Sequence, residues 1–115
     1  MKTYDAVAIL CALAQDNRLD AFRLLVEAGP AGMAAGHIAT SLRLPPSALT
    51  FHLDRLREAG LVEVRREGRS MIYTARFDAM NALVTYLTDQ CCQGQPELCA
   101  PKSRKAARRK PETVR

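Results

Sequence analysis

The stretch from residue 45 to residue 75, PPSALTFHLDRLREAGLVEVRREGRSMIYTA, constrains the fold more than any other part of the sequence. In its first half, Leu49, Leu53 and Leu56 recur at the spacing of one helix face, and a helix-ending glycine follows at position 60. Apolar and polar residues then alternate on both sides of Glu67-Gly68, which predicts two strands joined by a turn. The segment therefore predicts a helix over about residues 46–59, followed directly by a β-hairpin.

Three shorter patterns before this segment predict three more helices. The first, over residues 4–15, has an apolar stripe at helical spacing made of Val7, Leu10, Cys11 and Ala14. The second begins at Asp16 or Asn17 and ends at Gly29-Pro30. Its predicted inner face consists of Leu19, Phe22, Leu25 and Val26. Residues 31–36, AGMAAG, are expected to form a flexible connection to a short third helix at about 37–42.

The order of the predicted elements indicates the fold class. A last helix is predicted over about residues 78–92, with one side formed by Ala79, Leu83, Tyr86 and Leu87. A short helix, a tight LRLPP turn, a longer helix and a two-stranded wing make a winged helix-turn-helix. We therefore predict a mainly α fold with a β-hairpin wing.

In such a fold the first half of the longer helix reads base edges in the major groove of double-stranded DNA. With the three leucines inward, the outward residues predicted to contact DNA are Ser47, Ala48, Thr50, Phe51, His52 and Arg55. Phosphate or minor-groove contacts are predicted at the hairpin tip for Arg65, Arg66 and Arg69. Taken singly, such side chains also coat surfaces that bind nothing, so the prediction depends on their combination.

The net charge of +5 is unevenly distributed. Residues 102–115 carry seven Lys and Arg against one Glu, which leaves residues 1–101 at −1. Residues 43–76 hold seven Arg against four acidic residues, which favours a nucleic-acid surface there. The basic tail is expected to be disordered, as solubilising charge or as a non-specific attraction for DNA. No apolar run reaches transmembrane length and Asp5 interrupts the first apolar residues, so we expect a cytoplasmic protein with no membrane partner.

The segment SALTFHLDRLREAGLVEVRREGRSMIYTA, residues 47–75, closely resembles the ArsR/SmtB family of bacterial metalloregulators. LAQDNRLDAFRLL, residues 13–25, is similar to the second helix of that family, and the resemblance covers about residues 4–91. One departure is Pro45, which stands where the family often has a serine cap.

The resemblance implies a homodimeric transcriptional repressor that binds an imperfect inverted repeat and releases it when a metal or metalloid binds. The first and last helices would form the dimer interface, with contributions from Val7, Leu10, Cys11, Leu83, Tyr86 and Leu87. From the residues themselves, Cys11 on its apolar stripe predicts a packed core side chain. The domains would be residues 1–92 for DNA binding and dimerisation, 93–101 to complete the inducer site, and 102–115 as the tail.

The cysteines indicate which inducer this chain binds. The family's cysteine pair in the third helix is absent here, and its zinc site on the last helix is absent because that helix has no histidine. Three thiols remain, Cys91, Cys92 and Cys99, and they resemble the site of an arsenic-sensing branch. Three thiolates suit a soft ion such as As(III) or Sb(III), whereas structural zinc would need a fourth ligand from Asp89 or Glu97. We expect As(III) or Sb(III) as inducer and no organic cofactor.

Other functions for the three thiols remain open at this point. They could serve a redox switch through a Cys92–Cys99 or intersubunit disulfide, bind another soft metal such as Cd(II), or be unused surface thiols. A thiol enzyme would need an activating histidine or a C-x-x-C pair, and the sequence has neither near these cysteines. We therefore predict that the protein is not an enzyme.

Overall fold

The computed structural model describes residues 1–89, which form five α-helices and a small antiparallel sheet. The helices are α1 (Thr3–Leu13), α2 (Asp16–Ala28), α3 (Ala35–Leu42), α4 (Pro46–Glu58) and α5 (Phe77–Thr88), with a single 3₁₀ turn at Gly29–Ala31. The strands are β1 (Met33–Ala34), β2 (Val62–Glu67) and β3 (Ser70–Ala75). The winged helix-turn-helix predicted from the sequence is confirmed.

Contacts divide the chain into two units after Leu83. The first unit, Met1–Leu83, contains the sheet and all helices up to the greater part of α5. Of the second unit, the described residues are 84–89, where the Thr88 hydroxyl donates to the carbonyl of Val84 at 2.8 Å. Asp89 lies in a turn, so α5 ends earlier than predicted. The predictions for residues 90–92, for residues 93–101 and for the tail lie outside the described residues.

The core of the first unit follows the leucine spacing of α4. Leu49, Leu53 and Leu56 are all buried, as predicted, because one helix face points at α2 and α3. The largest fully buried side chains besides these three are Leu25, Ile38 and Leu61. This apolar core holds α4 firmly and leaves the rest of the helix surface for other contacts.

The apolar stripe predicted on α1 does not face the core of its own chain, and the prediction that Cys11 packs in the core is wrong. The buried residues are Ala6, Ile9 and Ala12, whereas Val7, Leu10 and Cys11 are exposed. Because α1 is apolar on several sides, its sequence does not say which side faces the core, and packing selects the side with two alanines. The same packing corrects α2, where the predicted inner residue Leu19 is 43 % exposed and Ala21 is buried.

The predicted flexible connection AGMAAG instead contains a strand. Met33 and Ala34 pair with Tyr73 and Ile72 of β3, giving a three-stranded sheet in the order β1-β3-β2. Gly32 permits this pairing, since a Cβ at that position would lie 2.5 Å from the carbonyl oxygen of Tyr73. The wing is thereby attached to the segment between α2 and α3.

Within residues 1–89, no helix is both long enough and apolar enough to cross a membrane.

Candidate nucleic-acid interface

The turn between α3 and α4 fixes the direction of the longer helix. α3 ends with Arg43 in the left-handed conformation (φ 58°), and the amide of Leu44 donates to the carbonyl of Ala39 at 3.0 Å. Pro45 then adopts an extended conformation and Pro46 opens α4, where a missing N–H costs no helical hydrogen bond. No side chain caps α4, in keeping with the proline found at the family's usual cap position. Two prolines and the core leucines therefore hold this helix in place.

The N-terminal half of α4 presents short polar groups beside one aromatic ring. Ser47 and Thr50 are exposed, Ala48 is half-buried and Phe51 is 52 % exposed. The Thr50 hydroxyl donates to the carbonyl of Pro46 at 3.0 Å, which leaves its oxygen lone pairs available as acceptors. The four residues thus lie on the side of α4 away from the core, as a DNA-reading helix requires. Their contacts with bases stay predictions.

His52 differs from its neighbours because its ring is turned partly inward. Its Nδ1 atom is buried and has no hydrogen-bond partner in the described part of the chain. Desolvation lowers the pKa of His52 below its ordinary value of 6.5, and the positive charge of Arg18 on α2 lowers the pKa further. The imidazole is therefore neutral at pH 7, so a phosphate contact from His52 would be a hydrogen bond without an ion pair.

Arg55 is already engaged within the chain. Its guanidinium forms an ion pair with Glu58 and lies 5.0 Å from the centre of the Phe51 ring, in a cation–π contact. The Phe51 ring also meets the His52 ring edge-on at 5.7 Å between centroids. Arg55 would have to leave Glu58 to contact a phosphate, so it is a weaker candidate than its sequence position indicates.

The three arginines of the wing have different surroundings. Arg65 donates from Nε to the Glu67 carboxylate at 2.7 Å and from Nη2 to the carbonyl of Ala31 at 2.9 Å. Arg66 and Arg69 are exposed next to the Gly68 turn (φ +62°), and neither has an ion-pair partner within residues 1–89. The structure therefore favours Arg66 and Arg69 as phosphate contacts and makes Arg65 a brace between the wing and the 3₁₀ turn.

This difference gives a first prediction. Arg65→Gln should leave the slope of log K against log salt for DNA binding unchanged, because no phosphate contact is lost. The same change should speed amide hydrogen exchange of wing residues, since the bond to Ala31 is lost. Arg66→Gln is the matched variant, and it should lower the salt slope by about 1 per subunit without faster exchange. A lowered slope for Arg65→Gln would show that Arg65 contacts phosphate instead.

The residues predicted for a dimer interface are not equally accessible. On α1, Val7 is 50 % and Leu10 is 43 % exposed, and Cys11 is exposed as well. On α5, Leu87 is 58 % exposed and Tyr86 is half-buried. Leu83 is only 8 % exposed because it packs inside its own chain, so it has little surface to offer a second subunit. The exposed α1 residues include one that the sequence did not single out, Tyr4, which is 73 % exposed.

The predicted metalloid ligands Cys91, Cys92 and Cys99 lie outside the described residues. Within residues 1–89 no group of three or more His, Cys, Asp or Glu side chains is arranged to hold a metal ion. The prediction of an inducer site therefore depends on the three cysteine thiols that the sequence contains.

Sequence reasoning missed the part that Arg18 plays. This residue lies close enough to His52 to depress its pKa and lines a pocket between α1 and α4. Its only signal in the sequence is its place in LAQDNRLDAFRLL, where a charged residue next to predicted inner positions is ordinary for a surface helix.

Comparison with protein-family models finds a helix-turn-helix domain over residues 13–65. Several relatives match about three quarters of the chain. The HTH-type transcriptional regulator YgaV of Escherichia coli K12 is 31 % identical over 87 residues, 76 % of this chain and 86 % of that protein. The transcriptional activator HlyU of Vibrio cholerae is 33 % identical over 88 residues, 76 % of this chain and 79 % of that protein.

Solved structures share the fold. An ArsR-like transcriptional regulator from a Rhodococcus species superposes with a TM-score of 0.68 at 24 % identity and covers 96 % of each chain. The homodimeric winged helix-turn-helix domain of Mb0332 from Mycobacterium bovis has a TM-score of 0.60 at 30 % identity, over 75 % of this chain and 80 % of that one. A structure of reduced HlyU from Vibrio cholerae has a TM-score of 0.61 at 30 % identity, over 78 % and 91 % of the two chains.

Proposed function

Because the chain belongs to the ArsR family of winged helix-turn-helix transcriptional regulators, we propose that it is a homodimeric repressor released from DNA by a thiophilic metalloid. The metalloid, As(III) or Sb(III), would bind Cys91, Cys92 and Cys99. Regulation of transcription through a DNA-binding winged helix follows from the family itself and excludes an enzyme. The inducer, the direction of regulation and the dimer are the proposed parts.

One observation supports the DNA-binding mode above all others. The exposed half of α4 occurs together with a wing tip whose two exposed arginines have no ion-pair partner within residues 1–89. Ser47, Thr50 and Phe51 are exposed on the half of α4 that enters a major groove in this fold. Arg66 and Arg69 are exposed at the tip of the wing, where they can contact the adjacent backbone. Base reading is therefore assigned to α4 and phosphate positioning to the wing.

Exposed apolar side chains on α1 support a dimer. Tyr4, Val7 and Leu10 are 73 %, 50 % and 43 % exposed, which is much apolar surface for one short helix. One solved relative is described as a homodimer. A two-fold dimer places two copies of α4 symmetrically, so the operator would be an inverted repeat.

The donor set supports a metalloid rather than zinc. Cys91, Cys92 and Cys99 offer three thiolates within nine positions, and soft thiolates select soft ions. A three-sulfur site fits As(III) or Sb(III), which form three bonds to sulfur, whereas structural zinc takes four ligands. Inducer binding needs to favour the DNA-free state by only about 1–3 kcal/mol to weaken DNA binding roughly 5- to 150-fold.

A cysteine exchange tests the inducer site. The triple variant Cys91→Ser, Cys92→Ser, Cys99→Ser should bind operator DNA like the wild type but keep its affinity when As(III) is added, because serine does not supply the soft ligand. Cys11→Ser is the matched control and should still be released by As(III), since Cys11 lies on α1. Fluorescence anisotropy on labelled operator measures both. As(III)-driven release of the triple variant would exclude these cysteines as the site.

A second candidate function is a thiol-oxidation switch on the same cysteines. One solved relative is described in its reduced form, and cysteines 92 and 99 of this chain are close in sequence. A peroxide would oxidise two thiols to a disulfide and be reduced to water, with loss of two hydrogens from the protein. Non-reducing mass spectrometry after peroxide treatment detects that loss. DNA release that follows the disulfide and not As(III) would favour oxidation, and release by Cd(II) alone would favour another soft metal.

A further inference from the structure

A surface pocket of about 280 Å³ lies where α1, the first turn of α2 and the C-terminal end of α4 meet. Two alanines, Ala12 of α1 and Ala59 directly after α4, are part of its apolar lining. Polar groups on its rim come from Cys11, Arg18, Arg55 and Glu58. The pocket is on the opposite half of α4 from Ser47 and Thr50, and it shares one residue, Arg55, with the predicted DNA contacts.

Two arginines that line this pocket each have a buried donor atom without an acceptor. The Nε atoms of Arg18 and Arg55 are inaccessible to solvent and lack a hydrogen-bond partner in the described part of the chain. The carboxylate of Glu58, the one acid on the rim, is taken up by the ion pair with Arg55. Buried donors are rarely left unpaired in proteins, so we expect these guanidinium groups to turn toward an acceptor that binds in the pocket.

The charges of the rim define the kind of acceptor. Two guanidinium groups and one carboxylate line the pocket, which leaves one positive charge to be neutralised. His52, next to Arg18, adds no charge near neutral pH because its pKa is lowered. A carboxylate carries one negative charge and matches guanidinium geometry well. The alanine walls suit an apolar body attached to that carboxylate, and the pocket volume restricts the ligand to a small one.

We propose that this pocket binds a small organic carboxylate, with its oxygens on Arg18 and Arg55 and its apolar part against Ala12 and Ala59. The pocket touches α1, which carries the proposed subunit contact, and α4, which carries the predicted DNA contacts. A ligand there would contact both helices at once. Its binding could therefore change the affinity of the protein for operator DNA according to the concentration of the acid. Binding of the acid does not depend on the proposed metalloid response.

Titration with benzoate tests the proposal on the full-length reduced protein. Two-dimensional amide NMR spectra at constant ionic strength should show saturable shifts at Ala12, Arg18 and Ala59, with Kd of about 1 mM or tighter. Neutral benzamide has the same ring without the charge and should bind at least roughly tenfold more weakly. Arg55→Gln should weaken benzoate by a similar factor. Arg23→Gln is the matched control, because Arg23 lies exposed on α2 and pairs with Glu27.

A second variant distinguishes loss of ligand binding from loss of the folded structure. Ala59→Leu fills the pocket without removing a charge, and it should abolish benzoate binding while thermal unfolding stays cooperative. Absence of saturable shifts with benzoate in the wild type would overturn the proposal. Equal binding of benzamide would overturn the carboxylate assignment, and full binding by both Arg55→Gln and Ala59→Leu would overturn the pocket.

Discussion

Replacing Gly32 by alanine is expected to lower the free energy of unfolding by about 2–6 kcal/mol, the sum of backbone strain and overpacking. Gly32 adopts φ 74° and ψ −166°, a region that is essentially restricted to glycine. A Cβ there would also lie 2.5 Å from the carbonyl oxygen of Tyr73 and 2.6 Å from a methyl group of Thr74. The clash falls on the β1–β3 pairing, so the variant should lose the attachment of the wing as well as stability.

Substitutions at two other glycines distinguish backbone strain from overpacking as causes of that loss of stability. Gly29 has nearly the same backbone angles (φ 74°, ψ −163°), but a Cβ there has no atom within 4 Å, so Gly29→Ala should cost only the strain of about 1–3 kcal/mol. Gly36 lies inside α3 with open space around it, and Gly36→Ala should stabilise by up to about 1 kcal/mol. Urea unfolding of the three variants measures the series. A cost at Gly32 no larger than at Gly29 would contradict the close approach to β3.

Removing both exposed wing arginines should give the largest loss of DNA binding. The double variant Arg66→Gln, Arg69→Gln removes two predicted phosphate contacts per subunit, or four in the proposed dimer. The slope of log K against log salt should fall by about 3.6, because each contact contributes about 0.9. Between about 1 M and about 0.1 M salt, a tenfold change, that slope corresponds to an affinity loss of roughly 3.6 orders of magnitude. Preference for operator over unrelated DNA should change little, since phosphates carry no sequence information.

Anisotropy titrations at four salt concentrations measure the slope, with Arg23→Gln as control for removal of a surface charge away from the wing. The control should leave the slope unchanged. If the double variant keeps the wild-type slope, the wing tip does not contact phosphates, and the basic surface must be sought elsewhere on residues 43–76.

The sequence predicted the elements whose pattern is repeated and local. Leu49, Leu53 and Leu56 define the core side of α4 because the helix has no competing apolar side there. The hairpin was predictable because alternation and a Glu67-Gly68 turn occur together, and its register pairs Glu67 with Ser70 across that turn. From these two elements alone the helix-turn-helix and its wing could be located.

Other parts of the fold depend on contacts that no local pattern encodes. β1 is two residues long, too short for alternation, and it exists because Gly32 lets the chain approach β3. α1 is apolar on more than one side, so only the packing reveals that Ile9 faces the core and Val7 does not. Neither assignment follows from residue types read along the chain.

The position of the candidate site could be predicted from the sequence. The hydrogen bonds, ion pairs and burial of its individual side chains could not. Spacing placed Thr50 and Phe51 outward on α4, and the structure agrees. From the sequence, Arg65 and Arg66 look equivalent because both precede the same turn. They differ in the structure because Arg65 donates a hydrogen bond to the carbonyl of Ala31, which is far from it in the chain. Ion pairing of Arg55 and partial burial of His52 likewise arise from tertiary packing.

The most direct test of the account is a fluorescence-anisotropy titration of reduced full-length protein on the DNA upstream of its own gene, with and without one equivalent of As(III) per subunit. A metalloid-sensing repressor should bind this DNA tightly, and As(III) should weaken binding roughly 5- to 150-fold whereas Zn(II) should have no effect. Tight binding that As(III) leaves untouched would contradict a metalloid-sensing repressor.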